Sequence, residues 1–171
     1  RLNKQVTVTG TKIWEASTFQ DELSNVEVQM TLYYKVKGSA EENVWKKVTQ
    51  PAEVTETLTN FRAENESGMQ VSRTMPLYDA QGQELIYRWF ETKTAQNGMD
   101  NGFEKAPEVI DDMAKINQSF SLEHRGQMVS YVSENTFHEA TGVSTIYNRL
   151  VDTRDYVVEK QWEGVEPKDI T

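Results

Sequence analysis

Leu85-Ile86-Tyr87-Arg88-Trp89-Phe90-Glu91 reads as an extended strand with one residue out of place. Successive side chains of a strand point to opposite faces, so residues two apart share a face. Arg88 marks the outside, which leaves Tyr87, Trp89 and Glu91 pointing inward. Two other stretches carry the same anomaly. In Val6-Thr7-Val8-Thr9-Gly10-Thr11-Lys12-Ile13-Trp14, Lys12 shares a face with Val6, Val8 and Trp14. In Thr145-Ile146-Tyr147-Asn148-Arg149-Leu150, Arg149 marks the outside and Asn148 lies with Ile146 and Leu150. An ammonium, a carboxylate and a carboxamide aimed into one apolar layer are expensive unless they meet. Lys12, Glu91 and Asn148 are therefore expected to converge and react.

The remaining strand-like stretches are Val26–Lys37, Trp45–Val48, Val54–Phe61, Gln70–Met75, Phe120–His124 and Met128–Val132, most of them alternating and rich in Thr, Val and Tyr. Turn signals such as Asp79-Ala80-Gln81-Gly82, Arg125-Gly126 and Thr141-Gly142 separate them. Many short strands with regular turns indicate an all-β antiparallel sandwich or barrel. One segment differs: Ala106–Ile116 has Pro107 near its start, early acids, and apolar residues at Val109, Ile110, Met113 and Ile116. That spacing predicts a short helix. It lies within residues 92–142, read as an insertion or elaborated connection between the Glu91 and Asn148 strands.

At 171 residues the chain suits one domain of generous size, or one domain plus a fragment. A net charge of −9 disfavours nucleic acid and anionic lipid as partners. No apolar run approaches membrane-spanning length. Cysteine is absent, so a secreted β-domain of this sequence lacks the usual covalent staple and leaves room for another. Sliding Arg1-Leu2 onto Arg149-Leu150 carries Lys12 onto Lys160 and Trp14 onto Trp162. The expectation is tandem repetition, with residues 1–150 as one domain and 151–171 as a linker plus the first strand of a following, truncated repeat. Lys160 would be an unpaired equivalent of Lys12.

These stretches resemble the CnaB-type domain of Gram-positive surface proteins. That family opens with a V-x-V-x-x-x-K-x-W-like strand, as Val6 to Trp14 does. It continues with a stretch like L-P-x-Y-D-x-x-G-x-x-x-x-Y-x-x-x-E, which Met75 to Glu91 follows closely, and closes with an I-x-N-like strand, matched by Ile146-Tyr147-Asn148. The resemblance covers Gln5–Glu91 and Val143–Leu150; residues 92–142 do not match. It implies an Ig-like, transthyretin-like sandwich with an intramolecular isopeptide bond between Lys12 and Asn148, promoted by Glu91 as the catalytic residue. Burial would leave Lys12 a free amine, and a protonated Glu91 would polarise the Asn148 carbonyl. The reaction is single-turnover maturation, so turnover by an enzyme is not expected.

The resemblance further implies a stalk module of a cell-wall-anchored adhesin or pilus-like protein, extracellular, with adjacent repeats of the same polypeptide as partners. The alternative is a module that binds a host matrix protein or glycan through residues 92–142. No cofactor is expected. Asp100, Asn101, Glu108, Asp111 and Asp112 lack the spacing of a Ca²⁺ loop, and His124 and His138 lack neighbouring ligands, so no metal is expected. No G-x-S-x-G, H-E-x-x-H or phosphate-loop motif is present.

Overall fold

Apolar alternation drives the chain into two facing layers. The computed structural model describes residues 3–15, 23, 25–41, 43–62, 68–100 and 106–151. Its strands are β1 (Gln5–Trp14), β2 (Val26–Val36), β3 (Trp45–Lys47), β4 (Thr55–Leu58), β5 (Met69–Pro76), β6 (Leu85–Gln96), β7 (Met99–Asp100), β8 (Val109–Ile110), β9 (Ser119–His124), β10 (Gln127–His138) and β11 (Val143–Leu150). One sheet has the order β5-β1-β11-β10-β9. The other runs β7-β6-β2-β3-β8, with β4 also on β2. The all-β sandwich is as expected from the alternation.

Every ladder is antiparallel except that of β1 with β11, which is parallel and sets Thr9 against Val143 and Trp14 against Asn148. The first and last strands of the sandwich are thus neighbours that run the same way. The described chain enters at one end of the sheet and leaves at the other.

Between the sheets lies the main core, with Val8, Trp14, Val28, Met30, Leu32, Trp89, Leu122, Tyr131 and Ile146 among its buried residues. Trp14 is met edge-on by Phe61, Phe120 and Tyr131. Gly10 is where β1 passes over Trp89: a Cβ there would lie 2.8 Å from the indole Cδ1. The indole is fixed in turn, because its Nε1 donates to the Val8 carbonyl at 3.2 Å.

The outward face of β6 is not solvent. Tyr33, Trp45, Phe90, Ile110 and Ile116 form a second buried cluster over it. Arg88 belongs to this layer, its guanidinium 4.4 Å from the Phe90 ring. Residues 106–116 supply the cover, and here the expected helix does not form. The segment instead makes β8, which pairs with Trp45 and Lys46, and a single 3₁₀ turn at Met113–Lys115 capped by Asp112. Burying Ile110 and Ile116 against the aromatic layer outweighs helix spacing in a segment too short to offset the nucleation penalty. Tyr33 reaches the same segment, donating its hydroxyl to the Pro107 carbonyl at 2.6 Å.

Other described parts of residues 92–142 are built into both sheets. β6 runs on to Gln96, and β9 and β10 extend the first sheet, burying Phe120, Leu122 and Tyr131 in the main core. Arg1, Lys160, Trp162 and the expected following strand lie outside the described residues.

Candidate functional site

Lys12, Glu91 and Asn148 come together between the sheets, with relative exposures of 1%, 0% and 0%. Lys12 on β1 lies opposite Ile146, and Asn148 on β11 lies opposite Trp14, so the two inward side chains are diagonal neighbours on adjacent strands. Glu91 meets both from the facing sheet. Lys12 Nζ donates to Glu91 Oε1 at 3.4 Å, and Asn148 Nδ2 donates to Glu91 Oε2 at 3.3 Å. One carboxylate oxygen therefore serves the amine and the other serves the carboxamide.

Burial dominates the Lys12 amine. It pulls the pKa from 10.5 down to about 8, against the opposing attraction and hydrogen bond of Glu91. The Trp14 ring covers the same ammonium, 4.7 Å from Nζ to the ring centroid. Asn148 Oδ1 is buried without a hydrogen-bond partner among the described residues. A buried acceptor left unpaired is unfavourable, and it is the atom on which charge would develop if the carboxamide were attacked.

Three further polar residues hold Glu91. Ser133 Oγ donates to Oε1 at 2.6 Å, and Thr94 Oγ1 donates to Oε2 at 2.9 Å. Asn135 fixes the backbone: its Oδ1 accepts the Glu91 amide N–H at 2.9 Å, while its Nδ2 donates to Asn117 Oδ1 at 3.0 Å. The reason is topological. Along Trp89–Glu91, β6 is an edge among the described residues, since β7 pairs only with Ala95 and Gln96. Its outward N–H groups are satisfied from the facing sheet, that of Glu91 by Asn135 and that of Trp89 by Ser144 Oγ at 2.8 Å. Buried side chains thus stitch the Glu91 strand to β10 and β11.

Alternation carried past Val132 would have singled out Ser133 and Asn135, because both share the inward face of Tyr131. Thr94 was hidden by a bulge. The β2–β6 register jumps from Met30–Glu91 to Gln29–Lys93, leaving Thr92 extra and turning Thr94 onto the face of Glu91. His124 and His138 stay apart in role, bonding to Tyr131 and Thr141. Among the described residues no cluster of three or more His, Asp or Glu could hold a metal ion. No helix among them is long and apolar enough to cross a membrane.

No family model matches the chain, and no curated protein matches it. Among solved structures, it is similar to the pilus adhesin SpaC from Lactobacillus rhamnosus GG in two crystal structures. One is 18% identical with a TM-score of 0.40, and the other, in an open conformation, is 16% identical with a TM-score of 0.41. Each superposition covers 85% of this chain and 12% of the adhesin. An alternative pilotin from the type II secretion system of Vibrio cholerae is 9% identical with a TM-score of 0.34, over 87% of this chain and 99% of the pilotin. Superpositions this loose leave fold and chemistry resting on the chain's own strand register and buried side chains.

Proposed function

We propose that this chain is a structural module of a cell-wall-anchored bacterial surface adhesin or pilus-like protein, stabilised by an autocatalytic isopeptide bond between Lys12 and Asn148. The observation that carries the proposal is the division of Glu91, with Oε1 beside the amine and Oε2 beside the carboxamide nitrogen.

The chemistry follows from that division. Lys12 passes a proton to Oε1 and becomes a free amine, a step that desolvation of the ammonium favours. Nζ attacks Cγ of Asn148, a C–N bond forms, and the carbonyl electron pair moves onto Oδ1. As the carbonyl re-forms, the C–Nδ2 bond breaks and Nδ2 leaves as ammonia. Lys12 gives up two protons in all. One departs on ammonia, and the other stays on Glu91, which ends neutral in a site that no longer holds a cation. Confinement of amine and amide on adjacent strands supplies the effective concentration that free side chains lack. The reaction consumes its own groups and runs once.

The mechanical consequence suits a stalk. A bond joining β1 to β11 links the strand by which the described chain enters to the strand by which it leaves, so tension bypasses the intervening strands. Residues 117–138 are less suited to a projecting binding platform, because β9, β10, Ser133 and Asn135 are committed to the core and the site. The test is intact mass: the folded protein should weigh one ammonia less than its sequence, and Lys12→Met should weigh what its sequence requires. Full sequence mass in the wild-type protein would refute the cross-link.

A further inference from the structure

At the end of the sandwich where β1 begins, the two sheets part into a cavity of about 650 Å³. Its walls are the end of β5 on one side and the β2–β6 pair on the other. Tyr34 and Leu85, both partly exposed, supply apolar faces, whereas Met75 and Tyr87, which also line the cavity, are almost wholly buried in the core. That volume falls within the range of about 300–1,000 Å³ usual for small-molecule sites.

The polar groups around the cavity fall into two sets. Some are used by the protein itself: the Tyr87 hydroxyl donates to the Pro76 carbonyl at 2.6 Å, and Asp79 Oδ1 accepts the N–H groups of Gln81 and Gln83 at 2.9 and 2.8 Å. Others are uncommitted. The carboxamides of Gln50, Gln81 and Gln83 and the Tyr34 hydroxyl make no hydrogen bond among the described residues. Glu41 and Lys46 place charges of opposite sign on the same rim, so the cleft has no preference for an ion of either sign. Carboxamides both donate and accept, as sugar hydroxyls do, and aromatic and aliphatic faces take the C–H faces of a pyranose.

We propose that this cleft binds a neutral saccharide of one or two rings, through Gln50, Gln83 and Tyr34, with the Tyr34 ring and Leu85 taking its apolar face. The site lies outside residues 92–142 and shares no residue with the Lys12 cluster, so it stands or falls independently of the cross-link.

The experiment is saturation-transfer NMR on the whole chain. The probes are the methyl β-glycosides of glucose, galactose and N-acetylglucosamine, the disaccharides cellobiose and lactose, and N-acetyl-trialanine methylamide as a peptide probe. At least one saccharide should show transfer to its ring protons. Binding should weaken about tenfold or more in Gln50→Ala/Gln83→Ala and in Tyr34→Ala, since each removes hydrogen-bonding or ring contact to the sugar. It should persist in Met128→Ala, whose side chain is exposed beside the β9–β10 turn. The intact mass of each variant, read beside its binding, reports the cross-link separately. Transfer to no saccharide, transfer to the peptide alone, or saccharide binding unchanged in the glutamine and tyrosine variants would overturn the assignment.

Discussion

Asn148 donates its side-chain amide to Oε2 of Glu91 at 3.3 Å, across the gap between the two sheets. The donor belongs to the last strand of one sheet and the acceptor to the edge stretch of β6 in the other. Their contact brings the leaving nitrogen to the group that would deliver its proton.

Glu91→Gln keeps the shape of that contact and removes the proton shuttle. No ammonia should be lost, as read by intact mass. Lys12 would then be a buried ammonium without its carboxylate, and losing one partner of a buried pair costs about 3–5 kcal/mol against Asn148→Ala, which keeps the pair and is equally unable to cross-link. Chemical denaturation should register a loss of that order, and unimpaired ammonia loss in the variant would reassign the catalytic role.

Lys12→Met fills much the same apolar volume and cannot bond. The variant should lose the chain constraint that closure imposes on the unfolded state, about 4–5 kcal/mol for a loop of more than about 100 residues. The midpoint of urea unfolding should fall accordingly. Equal midpoints for the variant and the wild-type protein would show that no closed loop existed.

Asn148→Ala removes the electrophile and leaves Lys12 as a titratable amine, so its depressed pKa becomes a stability effect. Burial holds the folded-state value at about 8, below the ordinary 10.5. Between those two values the unfolded chain binds the proton and the folded chain does not, so stability rises with pH across that window. Below about 8 the penalty is constant, on the order of 3 kcal/mol. The difference between Asn148→Ala and Lys12→Met/Asn148→Ala isolates this group from the tyrosines that titrate nearby. A flat difference from pH 7 to 11 would show that Lys12 is not desolvated.

Strict alternation made the main layer legible: Lys12, Glu91 and Asn148 were found because each interrupts an apolar inward row. The same rule failed wherever β6 departs from a simple two-faced strand. Arg88 reads as solvent-facing, yet Trp45, Phe90 and Phe137 surround it, because a third layer covers that face. Thr94 was invisible because a bulge flips parity after Glu91, and no residue type in Thr92-Lys93-Thr94 announces it. The segment around Val109 and Ile110 carried helical spacing, but tertiary burial against Trp45 decided its form. Local pattern locates the face a residue occupies. It does not reveal what covers that face.

Gly10→Ala should be destabilising out of proportion to one methyl group. Its Cβ would sit 2.8 and 2.9 Å from the Trp89 indole and 3.0 Å from Met30 Cε, and the indole is tied to Val8. Overpacking of this kind typically costs about 1–3 kcal/mol. Thermal unfolding of Gly10→Ala in the Lys12→Met background, where no cross-link can mask the effect, should show a lower midpoint. An unchanged midpoint would contradict the close approach of β1 to Trp89.

The cross-link itself is tested most directly by proteolytic digestion and tandem mass spectrometry of the purified wild-type protein. The expected product is one branched peptide that joins the Lys12 and Asn148 fragments, one ammonia lighter than their sum, with fragment ions placing the link at Lys12 Nζ and Asn148 Cγ. Two separate linear peptides, with Lys12 a free amine and Asn148 an intact carboxamide, would contradict it.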